Sequence, residues 1–189
     1  MLLLEPRAEM KKPTSYLLVL LASQLAAAEV TDSAANGFTT VNEVTVDVNR
    51  AAAWQAALDV GRWWSPDHTI SGDAGRLSID ASLKGCFCES LGGDAGVVHL
   101  IVTTVMPETS LRMTGGLGPL GLLGVEGNMT WDFQATDAGT RVRMTYAVGG
   151  YMASGLDGMA PAVDAVLGEA LARLKAYIET GNPEIAAIG

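Results

Sequence analysis

The sequence predicts an α+β domain in which a curved antiparallel β-sheet wraps around a long C-terminal α-helix, with two short helices after the first strand. Three observations predict it. Period-two alternation of apolar and polar residues recurs in short segments from Phe38 to Val48 and again between Leu77 and Val148. Those segments are separated by turn residues rather than by helical stretches. From Pro161 to about Glu179 the period changes to three and four, in Val163, Val166, Leu167, Ala170, Leu171, Leu174 and Ile178, which is a broad apolar helix stripe that must lie on something large.

Each element has a local reason. Val41, Val44, Val46 and Val48 carry the first strand. Asn49 can accept from free amides and cap a short helix over Ala51–Val60, with Trp54, Ala57 and Leu58 on one face and Gly61 as its stop. The corner Arg62-Trp63-Trp64-Ser65-Pro66-Asp67-His68 holds half of the chain's four Trp and half of its two His. Leu77 and Ile79 mark a strand, and Lys84–Leu91 the next. Gly92-Gly93-Asp94 is a hairpin turn into Val97–Met106, which Pro107 ends. Ser110–Thr114 is a strand, Gly115–Gly124 a glycine- and leucine-rich loop with Leu117, Leu120, Leu122 and Leu123. Gly127–Ala135 and Thr140–Val148 are strands joined at Asp137-Ala138-Gly139. Gly181 and Pro183 end the last helix.

The N-terminal region reads as a targeting segment. Lys11 and Lys12 precede the apolar run Tyr16–Leu25, and small residues follow at Ala26, Ala27 and Ala28, the order of a secretory signal peptide. The run is shorter than the roughly 20 residues that span a bilayer, and Gln24 interrupts it. Residues 1–28 are therefore expected to be a signal peptide, with Met10 the more natural start. Residues 29–37 are expected to be a flexible lead-in, 38–180 the domain and 181–189 a tail. Cleavage after Ala28 leaves an exported chain, periplasmic or secreted, with no stable membrane span. The 189-residue chain has a net charge of −9. Removing residues 1–28 takes away three basic and two acidic residues and leaves 9 against 19. Such a balance repels nucleic acid and anionic lipid, and no basic stripe offsets it. The remaining 161 residues suit one domain.

Cys86 and Cys88 are the only cysteines. At i and i+2 of a strand they share a face. A disulfide between them would close a very small ring, and two cysteines without a second pair make no zinc site. They are read as small apolar fillers on the buried face; a redox or metal role in an oxidising compartment is the rival.

The order of elements, together with Asn49-Arg50 and Trp54, the Gly61-Arg62-Trp63-Trp64 corner, Gly85 through Glu89, the Pro107…Leu111 strand pair, Trp131 and the helix from Pro161, resembles the START-like (SRPBCC, Bet v 1-like helix-grip) superfamily over about residues 38–180. Within it the chain is similar to the branch of the C-terminal domain of the Hsp90 ATPase activator, which includes polyketide cyclase-like proteins. The resemblance implies an apolar cavity between sheet and helix and a small hydrophobic ligand such as a lipid, sterol or polyketide. No cofactor is assigned, and the glycines at 115–124 lack the Lys-Ser/Thr of a phosphate cradle.

The candidate site residues follow. His68, Glu89 and His99 are the chain's best chemical triplet. Glu89 and His99 lie on adjacent strands and could pair side by side if the register puts them on one face. They could then act in acid–base chemistry or ligand contact, hold a metal, or form a structural ion pair; no metal is assigned. Trp63 and Trp64 point apart, so one should enter the core and the other meet the cavity or solvent. Met113, Met129, Trp131 and Tyr146 are inward candidates that suit either core packing or cavity walls. No nucleophile motif such as Gly-x-Ser-x-Gly appears. The leading expectation is an exported binder of a small hydrophobic molecule. The alternatives are a cyclase- or hydrolase-like enzyme using His68, Glu89 or His99 for proton transfer, and a protein-interaction domain with an apolar patch at the leucine loop.

Overall fold

The computed structural model describes residues 27–184; the expected signal peptide over 1–28 lies almost wholly outside them. Eight antiparallel strands form one sheet in the order β1-β2-β8-β7-β6-β5-β4-β3. They are β1 (Ala27–Ala34), β2 (Gly37–Val46), β3 (Leu77–Ile79), β4 (Cys86–Gly92), β5 (Ala95–Met106), β6 (Ser110–Thr114), β7 (Gly124–Thr136) and β8 (Gly139–Tyr151). Two α-helices complete it: α1 (Arg50–Leu58) and α2 (Ala160–Thr180). This is the α+β helix-grip arrangement expected from the sequence. Among the described residues no helix is long and apolar enough to cross a membrane.

The local chemistry explains the elements. Asn49 Oδ1 accepts from the Ala52 amide at 2.9 Å and caps α1. The chain after α1 is tighter than a second α-helix: 3-10 turns at Val60–Arg62 and Pro66–His68 carry it round the tryptophan corner. Helix α2 buries Leu167, Ala170, Leu171 and Leu174. Gly181 ends it with φ +76°, and its amide donates to Tyr177 O. The buried guanidinium of Arg173 donates from Nε to the Trp63 carbonyl at 2.9 Å and ties α2 to the corner.

Three expectations need correction. Residues 29–37 are not a flexible lead-in: most of them belong to β1, which pairs with β2 from Ala34↔Gly37 to Ala27↔Glu43. Their polar composition hid a strand whose stability comes from the β2 edge it covers, with Val30 packed on the core. In β2 the buried side is Phe38, Thr40, Asn42, Val44 and Val46, so Val41 faces outward; Asn42 Nδ2 donates to Asp164 of α2 at 3.0 Å. In β4 the faces are opposite to those expected. Phe87 and Glu89 are buried, while Cys86 and Cys88 lie on the outer side, only partly covered. There they are joined as a disulfide, with Cα atoms 5.4 Å apart. The pleat that puts i and i+2 on one side brings them within the usual span of such a bond, so they are not separate core fillers.

Candidate functional site

The inner face of the sheet is not filled uniformly. Between β4–β5, the Pro66–His68 turn, the Gly116–Leu122 loop and the first half of α2 lies a cavity of about 600 Å³. Helix α2 and the residue before it contribute Met159, Val163, Val166 and Leu167; the sheet contributes Leu77, Phe87, Val97, Val98 and His99; the corner contributes Trp64, His68 and Ile70. Exposed Ile70, Val98 and Leu122 border its mouth, Leu122 being 89 % exposed. Asp67 is the lining's carboxylate, and no Lys or Arg lines it among the described residues.

Two devices place the polar residues. Glu89 follows the inward alternation of β4. Its partner comes from a β-bulge: Cys88 pairs with Val98 but Phe87 with Leu100, which leaves His99 as an extra residue on β5. His99 and Leu100 therefore both turn inward, a re-aiming that bulges provide near functional sites. His99 Nε2 lies 3.0 Å from Glu89 Oε2, with the two residues 5 % and 1 % exposed. Glu89 also accepts from the amides of Ile70 and Ser71. Burial by itself pushes this carboxyl up, but the hydrogen bonds from Ser71, Ile70 and His99 together outweigh it and hold its pKa at about 2. The carboxylate is thus ionised at neutral pH and can only accept. His99 Nδ1 is buried and has no hydrogen-bond partner.

The triplet read from the sequence does not form one hydrogen-bonded group, although His68 and His99 both line the cavity. His68 turns away from Glu89 and meets Glu169 of α2 at 3.1 Å, where it bridges the corner and the helix beside the cavity. Trp63 sits in the core, its Nε1 donating to Ala56 O, whereas Trp64 lines the cavity and donates to His68 O. Aromatic rings run from the core to the site, Trp131–Trp63–Trp64–Phe87–His99, with centroids 5.5–6.1 Å apart. Met113, Met129, Trp131 and Tyr146 are fully buried and do not line the cavity. Tyr146 instead reaches the loop above: its hydroxyl donates to Gly115 O at 2.8 Å and accepts from the Leu117 amide at 2.9 Å. A Cβ at Gly127 would collide with the Tyr146 ring, so glycine there makes room for this anchor. Burial pushes the Tyr146 hydroxyl up to about 12, which keeps it protonated and able to donate.

The leucine loop is a short 3-10 turn, Gly118–Leu122, rather than an open coil. Leu120 is buried and Leu122 stands in solvent. Sequence reasoning missed Phe87, Val163, Val166 and Leu167 as cavity residues. The helix periodicity marked the last three as apolar, but period alone does not distinguish a packed turn from one that borders a void.

A curved sheet and a helix closed over an apolar cavity define a helix-grip domain of the START-like kind. Residues 37–179 match the family described as polyketide cyclase / dehydrase and lipid transport, and the chain belongs to that family. No curated protein matches the chain. Among solved structures it is similar to CalU16 from Micromonospora echinospora, with 15 % identity, a TM-score of 0.55, and 85 % of this chain and 88 % of that one covered. A conserved protein of unknown function from Enterococcus faecalis aligns with 14 % identity and a TM-score of 0.56, over 87 % and 82 % of the two chains. DynU16, from the dynemicin biosynthetic locus, aligns with 19 % identity and a TM-score of 0.53, over 77 % of this chain and 48 % of that one. These likenesses show the fold.

Proposed function

We propose that the protein binds a small, uncharged, apolar molecule in the cavity between the sheet and the first half of α2, and does so outside the cytoplasm. The observation that carries this is the cavity itself: about 600 Å³, within the range of ligand sites, with mainly apolar walls and no cationic side chain among its described lining to hold an acid or a phosphate. Membership of a family described by polyketide cyclisation and lipid transport supports the same class of ligand. Export is supported by the charged, apolar, small-residue order of residues 11–28 and by a Cys86–Cys88 disulfide, a bond that persists in oxidising compartments.

The test uses N-phenyl-1-naphthylamine, an uncharged fluorescent probe. Wild-type protein should bind it at one site with a rise in fluorescence. Val166→Trp, which fills the cavity from α2, should abolish that rise while retaining cooperative thermal unfolding. Absence of saturable binding to the wild type overturns the proposal. Fusing residues 1–40 to alkaline phosphatase, active only after export, tests the compartment.

The Glu89–His99 pair favours a second reading, proton transfer on the bound molecule. A carboxylate-oriented imidazole at a cavity wall is the arrangement of a general base. The protein should then accelerate exchange of the acidic C–H of 2-acetyl-1-tetralone with deuterated water, and His99→Phe should remove the acceleration. His68 pairs with Glu169 rather than with Glu89, so this reading assigns the step to His99.

A further inference from the structure

Among the described residues that line the cavity, His99 is the one with a buried side-chain nitrogen that has no hydrogen-bond partner. The other polar lining groups are accounted for. Trp64 Nε1 donates to His68 O, His68 Nε2 meets Glu169, and the Thr69 hydroxyl donates to Pro66 O; Asp67 is exposed to solvent. His99 differs. The bulge on β5 turns it inward beside Leu100, and its ring stands edge-on to Phe87 at 5.6 Å as part of the lining. Its Nε2 faces the Glu89 carboxylate at 3.0 Å. An ionised carboxylate can only accept, so Nε2 must carry the hydrogen, and in the neutral ring Nδ1 is left with a bare lone pair. That Nδ1 is buried and unpartnered, a state that costs free energy unless something fills it.

We propose that the occupant of the cavity is an apolar molecule bearing a hydrogen-bond-donating hydroxyl, a phenol or an enol, and that His99 Nδ1 accepts from that hydroxyl while Glu89 fixes the tautomer as a positioning residue. This rests on the cavity being a binding site and adds the chemistry of its polar end. A purely hydrocarbon ligand leaves Nδ1 orphaned, and a ligand offering only a carbonyl meets a lone pair with a lone pair.

The experiment compares two probes of matched shape, 2-naphthol and 2-methylnaphthalene, which differ in one hydroxyl. Wild-type protein should bind 2-naphthol about 2- to 13-fold more tightly, the range one net hydrogen bond supports. In His99→Phe the ratio of the two affinities should fall to about one. Glu89→Gln, which no longer forces one tautomer, should narrow the preference. Nitrogen-15 NMR of the wild type gives a readout that does not depend on any variant folding: the His99 Nδ1 resonance should move on addition of 2-naphthol and stay in place with 2-methylnaphthalene. Equal affinities in the wild type, or a preference that survives His99→Phe, overturns the proposal. If N-phenyl-1-naphthylamine binds while the naphthol preference is absent, only this inference fails. If none of the three probes binds, the cavity reading fails and takes it along.

Discussion

The two halves of the sheet's inner face are filled in different ways. Across β6, β7 and β8 the inward side chains meet in register, Leu111 and Met144 both opposite Trp131, Met113 opposite Met129, and Met129 opposite Tyr146, and every one is fully buried. Across β3, β4 and β5 the strands are short or irregular, a bulge interrupts the ladder at His99, and the helix stands off far enough to leave the cavity. A regular ladder of large side chains makes a wall without space. The site forms where the ladder breaks. The fully buried aromatic and methionine side chains of β6, β7 and β8 therefore do not mark the cavity in this chain; the buried Glu89–His99 hydrogen bond, a bulge and a glycine-rich loop do.

The strongest test of that contrast lies in the closed half. Trp131→Ala removes a fully buried indole that touches Trp63, and should cost about 4 kcal/mol, seen as a large drop in the thermal midpoint. If Trp131 were a cavity wall, the same change would mainly alter the affinity for N-phenyl-1-naphthylamine and cost far less stability.

The open half has its own stability element in Glu89. Glu89→Gln replaces a carboxylate that accepts from Ile70, Ser71 and His99, and should cost about 2 kcal/mol at neutral pH. The pH dependence sharpens this. The folded-state value of about 2 lies below the ordinary 4.5, so the unfolded chain takes up the proton first. The stability this carboxylate supplies is present above about pH 4.5 and is lost as pH falls toward 2. Acid titration of unfolding should show wild type and Glu89→Gln converging over that window. Parallel curves would show that Glu89 is not the group responsible.

Particular residues explain what was legible in the sequence and what was not. The helix stripe from Val163 to Ile178 and the alternation of Met129, Trp131 and Phe133 are dictated by burial on one face, and the structure follows both. Glu89 and His99 could be named as neighbours because a tight turn joins their strands. That they share a face depends on a one-residue bulge, and composition carries no signal for one. The cysteines were placed on the wrong face because small residues resemble core fillers, whereas Phe87 between them is the larger apolar group and takes the inside. β1 was missed because Thr31, Asp32 and Ser33 have loop-like composition, and only the free edge of β2 makes a strand of them.

The disulfide compares the two sides of β4 rather than two halves of the sheet. A ring closed over three residues restricts the unfolded chain little, so the chain-entropy contribution is only about 1.5 kcal/mol. The double variant Cys86→Ser, Cys88→Ser should lower the denaturant midpoint by a correspondingly small amount. Phe87 and Glu89 point the other way from the bond, so probe binding should survive. Loss of binding on reduction would mean that the outer face of β4 sets the position of the cavity wall, and that the two faces are not independent.

The smallest effect is expected at the cavity's edge. His68 and Glu169 face each other at 3.1 Å, but their side chains are 32 % and 38 % exposed, and pairs open to water contribute less than about 1 kcal/mol. His68→Ala should leave the thermal midpoint nearly unchanged. What it removes is a tie between the Pro66–His68 turn and α2, two of the elements that enclose the site. If that tie holds the mouth closed, the variant should exchange N-phenyl-1-naphthylamine faster at nearly constant affinity, because opening and closing rates rise together when only a barrier is lowered. Stopped-flow release measured beside equilibrium titration separates the two. A change in affinity without a change in release rate would instead make His68 a direct ligand contact, and the polar chemistry of the cavity would then have two poles, His68 and His99, instead of one.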